Sequence, residues 1–117
     1  TREFNYVDNI VDGFIAAANI ENVPDSVVNL GSGEEITIRD LVQMIHQKTE
    51  SKSSLEIGAL PNRPTEIWRM SSEAEIAKEN FGWSPNIKFE EGLERTIAWY
   101  RSYLKAFYEK DSILHKL

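Results

Sequence analysis

From Phe89 onward the chain sets Leu93, Ile97, Tyr100, Leu104 and Phe107 at alternating steps of four and three residues, with Trp99 and Tyr103 widening the stripe. That period makes one face of a long helix apolar. Such a face is stable only when covered, so the helix is expected to dock against a core supplied by the segments ahead of it.

Those segments are short and switch between strand and helix periods. Phe4, Tyr6 and Val7 give the opening residues a strand composition, and Asp8 or Asn9 then stands where a helix N-cap belongs. Ile10, Val11, Phe14, Ile15, Ala17 and Ala18 predict a helix from residue 9 to about 20, ended by Pro24 and Asp25. Val27, Val28, Asn29 and Leu30 give a buried-strand signal, broken by the turn Gly31-Ser32-Gly33. Thr37 with Asp40 marks the cap of a second helix carrying Leu41, Val42 and Ile45. Leu55, Ile57 and Ala59 alternate like a strand, and Pro61 and Pro64 bracket an irregular loop around Arg63. Ser72 with Glu75 reads as a capping box for a third helix that stops at Gly82. The expected class is α/β: a small mixed region of short strands and about four helices, without internal repeats. Residues 1–108 form that region, and 109–117 a tail of weaker pattern in which fraying is expected.

With 117 residues the chain has the length of one domain. Its formal net charge of −6 excludes a general nucleic-acid-binding role, which needs clustered Lys and Arg to neutralise phosphates. There is no cysteine, hence no disulfide framework or thiolate chemistry. No apolar run approaches the roughly 18 residues that span a bilayer. The expectation is a soluble, cytoplasmic protein with no membrane partner. Thr1 opens directly on the strand pattern, with no initiator, targeting or linker segment ahead of it. The chain therefore reads as starting inside a longer protein, although removal of an initiator Met or a tag gives the same start.

Several groups invite a chemical reading. Gly31-Ser32-Gly33 follows an expected strand, but a third glycine is missing and Glu34-Glu35 would repel phosphate; an ordinary turn is the better reading. His46 and His115 belong to no spaced ligand motif, so no metal site is expected. Glu34-Glu35 and Glu90-Glu91 suit helix starts and solvation rather than acid/base pairs. Trp83 and Trp99 read as core anchors, and core packing is also favoured for Trp68. The arginines are the strongest candidates. Arg2 opens an apolar strand and Arg63 sits between prolines, and two guanidinium groups converging on a diphosphate would suit an otherwise acidic protein. The alternative is that both make surface ion pairs with neighbours such as Glu3 and Glu66.

Four blocks, TREFNYVDNIVDG, VVNLGSGEEITIRDL, RPTEIWRM and FGWSPNIKFEEGLERTIAWY, occur in an order and spacing covering about residues 1–102. Together they resemble the C-terminal part of the NAD-dependent nucleotide-sugar epimerases and dehydratases, in the extended short-chain dehydrogenase/reductase family. The resemblance implies the substrate-binding region of an extended Rossmann-type enzyme. It assigns Arg2 and Arg63 to the diphosphate of a nucleotide-diphosphate sugar and Glu66 to a ribose hydroxyl. Departures from the usual pattern are Glu3 for Asp, Asn9 for a frequent Asp, and Thr65 for Gly, which bear on sugar or base preference. Asn29 matches a common family position and reads as an organiser of the turn at Gly31.

Neither the family's glycine-rich cofactor loop nor its Tyr-x-x-x-Lys pair occurs in this sequence. The resemblance thus implies that NAD(P) binds mainly to a region upstream and that this chain alone holds no catalytic residue. It also implies a parent enzyme that is a homodimer and transiently oxidises a sugar carbon. A rival expectation is a free-standing binding module derived from the family, which docks a partner through the stripe at residues 93–107; exposure of that stripe would favour it.

Overall fold

Tyr6, rather than Asp8 or Asn9, is the residue at which the chain turns helical: α1 spans Val7–Ala18, with Tyr6 extended at its N-cap. Asp8 therefore lies in the first turn, where its charge suits the helix dipole. Asn9 is buried, and its side chain serves a distant loop instead of a cap. The helix closes at Asn19, whose backbone N–H bonds Ala16 O and whose side-chain amide donates to Ile15 O. The computed structural model describes residues 1–21 and 27–114. Pro24 and Asp25, expected to end this helix, and His115 lie outside the described residues.

The chain order is β1 (Arg2–Glu3), α1, β2 (Glu35–Ile36), α2 (Ile38–Lys48), α3 (Ala74–Phe81) and α4 (Phe89–Leu114). This is a mixed α/β piece of four helices and a short ladder, as expected. The strands pair antiparallel, with Arg2 opposite Ile36 and Glu3 opposite Glu35. On its other side β1 meets Met70: Arg2 forms a parallel bridge to it, and Glu3 N–H donates to Met70 O at 3.1 Å.

Thr37 caps α2 as expected. Its hydroxyl accepts from Asp40 N–H at 3.0 Å and donates to the Asp40 carboxylate at 2.6 Å. Asp40, a methylene shorter than the usual Glu, meets the capping hydroxyl itself. Ser72 and Glu75 do not form their capping box; Glu73 precedes α3 without a side-chain cap, because Glu3 takes the Ser72 hydroxyl. Gly82 does end α3, at φ 65°, where a Cβ would be strained.

Two expected strands are absent. Residues 27–30 and 55–59 are irregular, and Val27 is 89% exposed. A strand exists only through a neighbour's hydrogen bonds, and the described residues offer none to either segment. The Leu55 to Ala59 stretch bends instead, through Gly58 and an Ala59 N–H to Glu56 O bond.

The core is small. Trp83 is 6% exposed and Ala77 fully buried, and the Trp83 indole donates to Asn9 O at 3.1 Å. Trp83 thus fulfils its expected part, whereas Trp99 and Trp68 are 58% and 68% exposed. Among the described residues, it is the N-terminal half of α4 that docks. Phe89 meets Phe4 at 6.0 Å between ring centroids, Lys48 pairs with Glu94 at 2.6 Å, and Arg101 donates to the Lys48 carbonyl at the end of α2. Beyond that, Tyr100, Tyr103, Leu104, Phe107 and Tyr108 are exposed, so the expected docking of the whole stripe does not hold. A chain that buries so few apolar side chains stays extended. The radius of gyration is 18.9 Å, against about 13 Å for a compact domain of similar length.

Candidate substrate site

The pleat of β1 sends its two side chains to different partners, and this organises the site. Arg2 reaches the 66–67 loop. One terminal nitrogen donates to Thr1 O and to Ile67 O, each at 2.7 Å, and the other lies 3.3 Å from the Glu66 carboxylate. A guanidinium has five N–H donors. Three are engaged among the described residues, which leaves Nε–H and one terminal N–H without a partner there. The Arg2 and Glu66 side chains are a quarter to a third exposed.

Arg63 begins the turn that carries Glu66, whose N–H donates to Arg63 O at 3.1 Å. Its own side chain is exposed and makes no ion pair or hydrogen bond among the described residues. The structure therefore joins Arg2 to Glu66 and sets Arg63 three residues before Glu66 on one turn. The ion-pair alternative weighed for Arg2 is present with Glu66, though not with Glu3.

Glu3 points the other way, into the Gly31 turn. One carboxylate oxygen accepts from Asn5 Nδ2 at 2.8 Å and from Ser32 N–H; the other accepts from Ser72 N–H at 2.6 Å and the Ser72 hydroxyl at 2.8 Å. Burial raises its pKa, but the donors of Ser72, Asn5 and Ser32 outweigh it and hold the carboxyl below its ordinary value. The Ser32 amide is thus committed to an internal carboxylate, and the ordinary-turn reading of Gly31-Ser32-Gly33 fits better than a phosphate loop. Asn29 is exposed and makes no hydrogen bond among the described residues, so Glu3 organises this turn in its place.

A second carboxylate was not legible as a site residue. Glu35 lies in β2 rather than at a helix start, and pairs with Arg69 while accepting from the Thr1 hydroxyl. The Arg69 hydrogen bond, followed by that of Thr1, lowers its pKa to about 2. The partners are 34 residues apart, and no local spacing announces them. Residues 66–69 thus bring Glu66 to Arg2 and Arg69 to Glu35, with Arg63 and the exposed Trp68 on the same stretch of chain. Among the described residues no cluster of His and carboxylates suits a metal ion, and no helix is long and apolar enough to cross a membrane.

The ladder, the four helices and this arginine-rich loop define a mixed α/β piece of the extended Rossmann-type sugar-nucleotide enzymes. The model of the GDP-mannose 4,6 dehydratase family matches residues 1–96, and the chain belongs to that family of NAD-dependent nucleotide-sugar epimerases and dehydratases. It is 33% identical to UDP-N-acetyl-alpha-D-glucosaminuronate decarboxylase of Bacillus cytotoxicus, across 86% of this chain and 32% of the relative. With UDP-glucuronic acid decarboxylase 1 of Danio rerio it shares 35% identity, across 90% of this chain and 24% of the relative. The crystal structure of Bordetella bronchiseptica WbmF in complex with NAD+ and UDP superimposes with a TM-score of 0.74 and 30% identity, across 92% of this chain and 32% of that one. The chain thus spans 24% to 32% of the length of these relatives.

Proposed function

We propose that residues 1–108 are the nucleotide-sugar-binding C-terminal region of an NAD-dependent sugar-nucleotide epimerase or dehydratase. The observation that carries this is Arg2. Two carbonyls and Glu66 hold its guanidinium still while leaving two of its five N–H donors free, a preorganisation that suits binding of a phosphate. Arg63, on the turn beside Glu66, supplies the second positive charge for the diphosphate. Glu66 offers its remaining acceptor capacity to a ribose hydroxyl. UDP in the WbmF complex supports a nucleoside diphosphate as the common element of the ligand.

In the full reaction these residues anchor the diphosphate so that the sugar is presented in a fixed pose; they move no proton. The nicotinamide of NAD(P), held by a region upstream, would supply the transient hydride acceptor. The chain alone is accordingly inert, and the complete enzyme is a cytoplasmic homodimer. Calorimetric titration with UDP tests the clamp: Arg63→Ala and Arg2→Ala should each weaken binding about tenfold or more, the equivalent of one charge-assisted hydrogen bond. Equal affinity of both variants and the parent would sink it.

One observation favours a second reading, that of a free-standing interaction module. Trp99, Tyr103 and Phe107 stack in succession on the exposed side of α4, at centroid spacings of 5.2 and 6.3 Å. Near its base, a cleft of about 570 Å³ lies among Phe4, Tyr6, Leu41, Ile45, Leu93 and Trp99. A ladder of aromatic rings facing solvent is the composition of a docking surface.

A further inference from the structure

We propose that Glu3 is a positioning residue of the substrate clamp: an internal carboxylate that fills the Gly31 turn and thereby sets the direction in which Arg2 points. The inference rests on the nucleotide-sugar reading above and adds to it a residue that contacts no ligand.

The geometry is that of a staple through three segments distant in sequence. Glu3 accepts four hydrogen bonds, from Asn5 Nδ2, Ser32 N–H, Ser72 N–H and the Ser72 hydroxyl. Four is about the full capacity of a carboxylate. Its own N–H donates to Met70 O, so backbone and side chain both bind the 70–72 segment. Gly31 is part of the fit, because a Cβ there would strike the Ser72 hydroxyl and the Glu3 carboxylate.

Consecutive side chains of a strand leave on opposite faces. Once Glu3 is fixed on one face, the roll of β1 is fixed, and Arg2 is aimed at Ile67 O and Glu66 on the other. The same staple sets the distance from β1 to the chain that continues back through Arg69 to the Arg63 turn. A two-residue strand has too few ladder bonds to hold its own orientation. The charged network at Glu3 supplies what the strand lacks.

The test is a pair of double-mutant cycles read by UDP affinity at pH 7, with thermal unfolding of every variant alongside. Glu3→Gln turns one acceptor oxygen into a donor facing donors already present. It should weaken UDP binding about tenfold, the equivalent of one charge-assisted hydrogen bond. In the Arg2→Ala background the same substitution should cost little further, because its effect passes through Arg2, whereas in the Arg63→Ala background much of its cost should persist. An undiminished cost in the Arg2→Ala background would overturn the proposal, since the staple would then be only a matter of stability. If Glu3→Gln does not fold, Glu3→Asp keeps the charge and shortens the reach, and the same cycle with it decides in the same way. Failure of the underlying reading looks different: the parent chain would bind no UDP, or Arg2→Ala and Arg63→Ala would leave its affinity unchanged.

Discussion

Asn9 and Ile87 hold each other as two strand residues would: the Asn9 side chain donates to Ile87 O at 2.8 Å and accepts from Ile87 N–H at 3.0 Å. A third bond comes from Asn86 N–H at 3.2 Å. One 2%-exposed amide thus ties the first turn of α1 to the segment entering α4, beside the indole of Trp83. Removing it would leave backbone groups of residues 86 and 87 without that partner at a partly buried seam. Asn9→Ala should therefore destabilise the chain by about 2–4 kcal/mol in urea unfolding. Asn9→Asp should lose stability too, because its carboxylate would face Ile87 O with no proton to donate; an Asp variant as stable as the parent would show that the donor half is dispensable.

Gly31 is a packing glycine, since the space its Cβ would occupy is filled by the Ser72 hydroxyl and the Glu3 carboxylate. Both groups are locked by the hydrogen bonds they share, so they cannot swing aside freely. Gly31→Ala should cost about 1–3 kcal/mol through loss of that network. In the Glu3→Ala background the carboxylate is gone and the Ser72 hydroxyl, no longer held by it, can turn aside, so the same change should cost much less. Equal costs in the two backgrounds, measured by denaturant midpoints, would place the strain elsewhere.

What could be read from the sequence was local. The α2 cap lies within four residues, Thr37 to Asp40, and Gly82 ends α3 through its own backbone freedom. The apolar period of α4 also predicted a real helix. What failed depended on partners distant in sequence. Asn9 stands, with Asp8, where the sequence predicts a cap, yet its side chain's partners are Asn86 and Ile87. Ser72 was assigned to α3 but serves Glu3, 69 residues away. The strand pattern at Val27 to Leu30 has no sheet neighbour among the described residues, and composition does not reveal whether a neighbour is present. For the candidate site, the expectation for Arg2 and Arg63 rests on residue type and family resemblance, and that for Glu66 on the resemblance alone. The Glu35 to Arg69 pair left no local trace.

That pair predicts a pH dependence with a definite sign. The Arg69 and Thr1 hydrogen bonds hold the Glu35 carboxyl down at about 2 in the folded chain, from an ordinary value of 4.5. A carboxyl depressed by folding contributes stability that is present above its unfolded pKa and is lost as pH falls through the folded one. Stability should accordingly drop between pH 4.5 and 2, with Glu3, also lowered, adding in the same direction. Arg69→Gln removes the largest cause of the Glu35 shift, so the decline across that window should become shallower even though the variant is weaker at pH 7. Urea midpoints at pH 7, 4.5 and 3 check this. An unchanged slope would mean that Glu35 does not carry the acid sensitivity.

The aromatic ladder on α4 separates the two functional readings. Tyr103 stacks on Trp99 with its ring plane 8° away and on Phe107 at 25°, while half of the residue remains open to solvent. Each ring pair contributes about 0.5–1.5 kcal/mol at most, so Tyr103→Lys should lower stability only modestly. Its larger effect should fall on association. If the ladder is a docking face of a free-standing module, the parent chain should gain mass with concentration in sedimentation equilibrium or capture a partner, and Tyr103→Lys should abolish either behaviour. A parent chain that stays monomeric, captures no partner and still binds UDP would instead leave α4 as part of a nucleotide-binding region and remove the main support for the module reading.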